Sequence, residues 1–311
     1  SDGVEAVDVA IKDGFISGLG ADLGDAGSTI DADGAWVGPA FVDVHTHLRE
    51  PGFEWKEDIA SGSAAAAAGG YSAIVAMPNT EPATDSGHLA RFIVERGRRV
   101  GLVDVVPSGS LTMGRMGETM SHIDELWDAG VRLFTDDGDS VANAHLLRLI
   151  MDYLAQLGGV VSQHAVDPAL SSAGSMHEGA VSSRLGMYAI PSLADDIVIS
   201  RDLALAKLTG VRYHVQHVST ASGVQLIADA KAAGLALTAV ATPHHLLFTD
   251  EDVRSMDSNF KMMPPLRAVS DREAIQQGLA RGDLDRVATD HAPHDALEKE
   301  VPVEMAPNVV L

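Results

Sequence analysis

The sequence predicts an α/β protein whose main part is a parallel (β/α)8 barrel, a TIM-like barrel. Eight strand-like apolar runs alternate with amphipathic helix-like stretches, and several of these stretches end in glycine, as helices often do. The strand-like runs cover residues 41–47, 72–78, 102–107, 131–136, 160–165, 211–218, 236–242 and 285–290. The helix-like stretches include residues 58–68, 86–98, 141–157, 195–209, 221–233 and 270–281.

The beginning of the chain has a different pattern, in which short apolar alternations are separated by turn residues. Asp13-Gly14 lies between two of these alternations and predicts a β-hairpin. We therefore assign residues 1–37 to a small β-sandwich portion and residues 38–311 to the barrel. The eighth run and its following motif end near residue 294, so 311 − 294 = 17 residues remain. We expect the closing helix and the C-terminal sandwich strands to be absent from this chain.

The composition excludes several kinds of partner and site. The chain has 22 basic and 44 acidic residues, and its net charge of −22 argues against nucleic acid and anionic membranes as partners. No apolar run is long enough to cross a bilayer, and no signal peptide is evident, so we expect a cytoplasmic protein. Without cysteine, any metal site must use nitrogen and oxygen ligands.

Residues that can bind metal recur where the strand-like runs end. His45 and His47 lie two positions apart in the first run, so their side chains project from the same face of a strand. In a parallel barrel the carboxyl ends of the strands meet at one rim, where the chemistry occurs. The sequence therefore predicts a divalent metal site at this rim. Its six ligands would be His45, His47, Asp137, His164, His217 and Asp290.

Five longer motifs around these positions resemble those of type I dihydroorotase, a family within the amidohydrolase superfamily. The motifs are Asp43-Val44-His45-Thr46-His47-Leu48-Arg49-Glu50-Pro51-Gly52, Met77-Pro78-Asn79-Thr80, Phe134-Thr135-Asp136-Asp137-Gly138, Thr242-Pro243-His244-His245-Leu246 and Ala288-Thr289-Asp290-His291-Ala292-Pro293-His294. The resemblance extends over essentially the whole chain. It implies a metal-dependent barrel flanked by a small β-sandwich that both chain ends build.

The resemblance also implies roles for individual residues. His45, His47 and Asp290 would bind one zinc ion, and His164 and His217 would bind a second. Asp137 would bridge the two sites, so that each chain holds one or two zinc ions, and Asp136 is a nearby alternative for that bridge.

The implied reaction is the reversible conversion of N-carbamoyl-L-aspartate to L-dihydroorotate and water in de novo pyrimidine biosynthesis. Asp290 is the expected catalytic proton carrier between the attacking water and the leaving nitrogen. The substrate is a small anion, and Arg49 is suited to a two-pronged contact with its carboxylate. Asn79 and His294 match further substrate contacts. An alternative interpretation of Arg49 is a structural ion pair with Glu50 or Asp43.

The chain departs from the family pattern at three places. Met263 stands where asparagine is usual, Val166 stands where glutamate is typical, and Asn308-Val309 stands where the family shows Phe-Gly. Two other interpretations therefore stay open. One is a related hydrolase of cyclic ureides, such as a hydantoinase. The other is a dihydroorotase-like subunit with weak activity that supports a partner such as aspartate carbamoyltransferase. We also expect a homo-oligomer.

Overall fold

The computed structural model describes residues 5–21, 23–172 and 174–308, and its two compact units divide between residues 40 and 41. In the described part of the first unit, strands β1 (Asp8–Lys12) and β2 (Phe15–Gly20) form an antiparallel pair. The two turn residues, Asp13 and Gly14, both have positive φ, as a type I′ turn requires. The predicted hairpin is confirmed, while the assignment of this unit to a β-sandwich stays a prediction.

The second unit contains the barrel, and its strands are short. They are β3 (Phe41–Thr46), β4 (Tyr71–Ala76), β5 (Asp104–Pro107), β6 (Leu133–Phe134), β7 (Val160–Gln163), β8 (Met176–His177), β9 (Ala189–Ile190), β10 (Arg212–Val215), β11 (Leu237–Ala241) and β12 (Arg286–Val287). Eight of these ten strands coincide with the eight predicted runs. The other two, β8 and β9, form a separate parallel pair that the sequence did not predict.

All pairs among the eight barrel strands are parallel and follow chain order. One sheet has the order β3-β4-β5, and the other has the order β6-β7-β10-β11-β12. Isolated parallel bridges join the sheets, one between Gly109 and Phe134 and one between Thr46 and His291. The second bridge is reinforced by the His47 amide, which donates to the His291 carbonyl at 2.8 Å. The predicted α/β fold of TIM-like type is confirmed, and its first and eighth strands end side by side.

The helices lie between the barrel strands and in the loops at their ends. They are α1 (Ile59–Ala68), α2 (Gly87–Val100), α3 (Ile123–Asp128), α4 (Ala144–Leu157), α5 (Pro168–Ser171), α6 (Ala180–Leu185), α7 (Leu193–Thr209), α8 (Ala221–Ala232), α9 (Pro243–Leu247), α10 (Asp250–Val253), α11 (Val269–Arg281) and α12 (Ala296–Lys299), with two 3-10 turns at Met113–Arg115 and Ser258–Phe260. All six predicted helices are present. None of the helices in the described ranges has the length and apolarity of a membrane span.

The helix ends show why these segments stop and start where they do. Asp58 accepts the amide of Ser61 and caps α1, while Asn143 accepts two amides at the start of α4. Gly158 and Gly210 end α4 and α7 in the left-handed conformation, which glycine adopts without steric cost. These caps fix the lengths of the helices that cover the barrel.

The main apolar core lies between the five-stranded sheet and the helices that cover it. Phe134, Val161, Tyr213 and Ala239 come from four successive strands and are fully or almost fully buried. Their alternate positions along each strand face the helices, while the residues that follow the strands reach the carboxyl rim. The core thus fixes the strand ends from which the polar residues of the rim project.

Gly97 in α2 lies against β5 with no room for a side chain. A Cβ atom at this position would lie 2.7 Å from the Cβ of Val105. We expect Gly97→Ala to lower the free energy of unfolding by about 1–2 kcal/mol, because the overpacking outweighs the gain in helix propensity of about 1 kcal/mol. Urea denaturation measures this change. Arg98→Ala, at the exposed neighbouring position, is the control, and equal stability of the two variants would contradict the close packing.

Candidate metal centre

The structure brings all six predicted ligand side chains together at the carboxyl rim of the barrel. They project from the ends of β3, β6, β7, β10 and β12, and each is at least nine-tenths buried. The described part of the chain contains two groups of histidine and carboxylate atoms spaced closely enough to hold a cation, and both draw on this set. The first group is His45, Asp137 and His217, and the second is His45, His47 and Asp290.

Four donor atoms form a first cluster whose spacing suits a tetrahedral ion. The Nε2 atoms of His45 and His47 lie 3.2 Å apart, and Asp290 Oδ1 lies 3.3 and 3.1 Å from them. Asp137 Oδ2 lies 3.3 Å from His45 Nε2 and 3.4 Å from His47 Nε2. A zinc ion with tetrahedral ligands at about 2.0–2.1 Å requires donor atoms about 3.3 Å apart. The measured distances therefore fit such an ion.

A second cluster shares Asp137 with the first. His164 Nδ1 and His217 Nε2 lie 3.0 Å apart, and each is 3.6 Å from Asp137 Oδ1. This oxygen is buried and makes no hydrogen bond. Because a buried carboxylate oxygen without a partner is costly, its position points to a ligand. One carboxylate thus presents an oxygen to each cluster, as a residue that bridges two cations must.

The electrostatics of the cluster favour added positive charge. Burial alone would lower the pKa of His45, but Asp137 and Asp290 outweigh burial and raise it to about 9. Burial alone would raise the pKa of both carboxyl groups, and the surrounding imidazoles, His45 foremost, hold both values below the ordinary range. Burial lowers the pKa of His47 and of His217. The two carboxylates are therefore ionised at neutral pH and require a cation or a proton beside them.

Two polar contacts orient the ligands of the first cluster. Asn79 Oδ1 lies 2.8 Å from His47 Nδ1, so the ring donates there and leaves Nε2 free as a ligand. Asp43 accepts the amides of His45 and Thr289, which ties the end of β3 to the residue before Asp290. Asn79 therefore contacts a candidate ligand, and its direct contact with substrate stays a prediction.

Three residues at this rim have a strained backbone conformation. Arg49, His217 and Asp290 have φ values of 61°, 25° and 52°, in the left-handed region that non-glycine residues seldom adopt. Each such conformation costs about 1–3 kcal/mol and persists only where the surrounding structure fixes it. These backbone conformations direct the three side chains toward the same region of the carboxyl rim.

Asp136 and Asp137 are adjacent in sequence but have separate environments. Asp136 accepts the amides of Leu111 and Thr112 at 2.8 and 3.0 Å and also the Thr112 hydroxyl. It therefore holds the loop that follows β5, and Asp137 is the carboxylate that faces the imidazoles.

Arg49 lies beside the first cluster, and its guanidinium contacts two acceptors that carry no charge. Its Nε donates to the Pro293 carbonyl at 3.3 Å, and its Nη2 lies 3.4 Å from His294 Nε2. Among the described residues no carboxylate forms a salt bridge with it. Glu50 pairs instead with Arg96, and Asp43 binds Thr289, so the considered ion pair of Arg49 with either acid is not formed.

Two of the three departures from the family pattern lie in one apolar patch. Val166 and Met263 pack with Ile190 and Ala194, and Val166 follows the candidate ligand His164 by two positions. Asn308 is the last described residue, and Val309 lies outside the described residues.

Sequence reasoning missed three residues that support the site, namely Asp43, Lys56 and Glu298. Lys56 and Glu298 form a salt bridge at 3.0 Å, and both approach His294. No local pattern signals a pair this far apart in the chain, because only the barrel topology brings the first and eighth strand ends together.

Comparisons with known proteins identify similar sequences and similar folds. The sequence model of the dihydro-orotase-like family matches residues 34–222. A dihydroorotase from Pelotomaculum thermopropionicum is 46% identical over 305 residues, which cover 98% of this chain and 71% of that protein. A dihydroorotase from Syntrophobacter fumaroxidans is 45% identical, over 91% of this chain and 65% of its own length.

Two solved structures illustrate the similarity in fold. An L-hydantoinase from Arthrobacter aurescens has a TM-score of 0.83 and 27% identity, over 99% of this chain and 71% of its own. A dihydroorotase from Saccharomyces cerevisiae has a TM-score of 0.67 over 86% of this chain and 74% of its own. At 17% identity the yeast enzyme supports the fold alone.

The environments of the two adjacent aspartates predict different consequences of substitution. We expect Asp136→Ala to lower the free energy of unfolding by about 2–5 kcal/mol, because it leaves two amides and a hydroxyl buried without an acceptor. Chemical denaturation measures the loss, with Asp124→Ala on the exposed face of α3 as the control. A stability equal to that of the control would show that Asp136 does not hold the loop.

Proposed function

The chain belongs to the dihydro-orotase-like family, and on that basis we propose that it is a metal-dependent cyclic amidohydrolase. It interconverts L-dihydroorotate and N-carbamoyl-L-aspartate in pyrimidine biosynthesis. The observation that carries this proposal is the pair of donor clusters that share Asp137 beside the unpaired Arg49. The relatives named dihydroorotase, which are 43–46% identical over nearly the whole chain, support the same assignment.

Zinc is the metal that we propose for this site. His45, His47 and Asp290 would hold one ion, His164 and His217 a second, and Asp137 would contact both. The donors are all imidazole nitrogens and carboxylate oxygens at spacings that suit tetrahedral zinc. When bound, zinc supplies Lewis acidity, which lowers the pKa of water from 15.7 to about 7 and polarises a carbonyl group.

Arg49 is the proposed anchor for the substrate carboxylate. Its Nε and Nη2 groups contact the loop that follows β12, and Nη1 makes no hydrogen bond to any described residue. A guanidinium with free N–H groups and no carboxylate partner is suited to bind one from a ligand. We propose that Asn79 contacts the substrate ring directly and that His294, the other expected substrate contact, contributes through its contact with Arg49.

Asp290 is the proposed proton carrier. Its Oδ1 faces the two imidazoles, while Oδ2 has no hydrogen-bond partner among the described residues. Its lowered pKa keeps it ionised at neutral pH, and Oδ2 is the oxygen that is free to take a proton. In ring opening, water forms a C–O bond at the amide carbonyl, Asp290 takes the water proton, and the C–N bond breaks. The same proton then passes to the departing nitrogen.

A hydantoinase-like activity is the second candidate. The apolar patch of Val166 and Met263 favours a substrate with less polar substituents than dihydroorotate, and the L-hydantoinase has the higher TM-score of the two solved structures. A homo-oligomer, an association with aspartate carbamoyltransferase and a cytoplasmic location stay predictions.

Turnover of defined rings tests the substrate. We expect zinc-loaded protein to open dihydroorotate faster than hydantoin or dihydrouracil, as followed by loss of ring absorbance. Asp290→Asn should lower kcat by about 10²–10⁴-fold, because the proton carrier is lost. Asp124→Asn, a matched change on the exposed face of α3, should leave kcat unchanged. Turnover of hydantoin without turnover of dihydroorotate would support the second candidate instead.

Elemental analysis tests the bridging role of Asp137. We expect two zinc ions per chain at saturating zinc and, in Asp137→Ala, zinc affinity at least about 10–100-fold weaker, because both clusters lose an oxygen ligand. A chelator should abolish turnover, and added zinc should restore it. If Asp137→Ala bound zinc as tightly as the reference variant Asp124→Ala, the proposal that Asp137 is a ligand shared by both clusters would be wrong.

A further inference from the structure

A polar network connects the loops that follow the first and eighth barrel strands. Lys56, in the loop after β3, lies 3.0 Å from Glu298 Oε1 in α12. The other oxygen of Glu298 lies 2.7 Å from His294 Nδ1, and the opposite nitrogen of that ring lies 3.4 Å from Arg49 Nη2. The four side chains therefore form a continuous series of contacts from Lys56 through Glu298 and His294 to the Arg49 guanidinium.

We propose that Glu298 is a positioning residue, which holds the His294 ring with its proton on Nδ1 so that Nε2 accepts a hydrogen bond from Arg49. Glu298 thereby acts through His294 to place the guanidinium where it binds the substrate carboxylate. Lys56 fixes Glu298 in turn. The part of this proposal that concerns the substrate rests on the proposed function, whereas the part that concerns the His294 proton does not.

The distances decide between the two neutral forms of the His294 ring. With the proton on Nδ1, the ring donates to Glu298 at 2.7 Å and accepts a hydrogen bond from Arg49. The one unfavourable contact is with the Lys56 ammonium, a donor that lies 3.3 Å from the Nδ1–H donor. Lys56 relieves that contact by donating to Glu298 at 3.0 Å. With the proton on Nε2, the ring would face Arg49 donor to donor, and its bare Nδ1 would face the carboxylate acceptor to acceptor. The first form leaves one poor contact and the second leaves two.

The surroundings also keep this ring neutral, so that the position of its single proton matters. Burial lowers the pKa of His294 to about 4, against the opposing effect of Glu298, and the cations Arg49 and Lys56 lower it further. In water the Nε2–H form of a neutral histidine side chain is the more common one. A fixed acceptor beside Nδ1 is therefore needed to select the other form.

Arg49 depends on this arrangement because few groups hold it. Pro293 and His294 supply the only two acceptors that contact its guanidinium among the described residues, and both lie in the loop after β12. Its backbone has φ 61°, so its own chain segment is strained at this point. If Nε2 carried the proton, one of these two acceptors would become a donor that repels the guanidinium.

Imidazole nitrogen NMR of zinc-loaded protein tests the proton position directly. With ¹⁵N-labelled histidine, and with the His294 signals assigned by their loss in His294→Gln, we expect a protonated Nδ1 and a bare Nε2. In Glu298→Ala the signals should shift to the Nε2–H form. A wild-type ring already protonated at Nε2, or a ring that is unchanged in Glu298→Ala, would overturn the proposal. This measurement needs no turnover, so it stands even where dihydroorotate is not the substrate.

Steady-state kinetics tests the consequence for binding. We expect Glu298→Ala to raise KM for dihydroorotate about tenfold, with kcat within about threefold of wild type, because a contact that serves binding is weakened. Glu298→Gln retains an acceptor for Nδ1–H and should restore KM to within about threefold. Glu300→Ala, an exposed acid two positions away, is the matched control. The positioning role would be overturned if Glu298→Ala shifted the proton but left KM unchanged. It would also be overturned if Glu298→Ala lowered kcat and left KM unchanged.

Discussion

Two buried carboxylates surrounded by four buried imidazoles are the constraint on which the rest of this molecule depends. Asp137 and Asp290 are both more than nine-tenths buried, and no lysine or arginine forms a salt bridge with either within the described residues. Removing an ion from water costs several kcal/mol even after relaxation, so two unpaired carboxylates would not persist here. The raised pKa of His45 shows that a single proton already offsets part of this cost. A divalent cation between the same atoms would offset it more fully, since it would bring two charges to oxygens that accept few hydrogen bonds.

The barrel holds these groups in place through contacts that are not themselves ligands. Asp43 binds the residue before Asp290, Asn79 orients His47, and Asp136 fixes the loop after β5 immediately before Asp137. Each support links a ligand to a different strand. A displaced strand would therefore alter the spacing of the donors, and a change of a few tenths of an ångström matters for a coordination distance near 2 Å. Asp43 also binds next to Asp290, whose φ of 52° is strained, so this contact helps to fix that conformation.

Sequence patterns predicted the elements with strong periodicity and failed where a pairing depends on the tertiary fold. The apolar runs gave all eight barrel strands, and the alternation of His45 with His47 placed both on one face, because strand periodicity is a local property. Strands β8 and β9 escaped prediction because two residues are too few to show a period. Asp136 and Asp137 could not be told apart from their order alone. Which of the two faces the imidazoles depends on which side of the strand end the loop after β5 covers. That placement is a property of the tertiary fold and is not visible in the local sequence.

The acidity of the chain poses a problem for an anionic substrate, and the distance scale of electrostatic screening resolves it. At physiological ionic strength the Debye length is about 8 Å, so most of the 44 acidic side chains are screened from a ligand bound at the rim. Within that distance the Arg49 guanidinium, together with metal bound by the proposed ligands, would dominate the field that a small anion meets. Lys56 contributes less, because Glu298 neutralises it at 3.0 Å. The net charge of the protein therefore governs its solubility and its choice of macromolecular partners, while a few groups at the barrel mouth govern which small anion it binds.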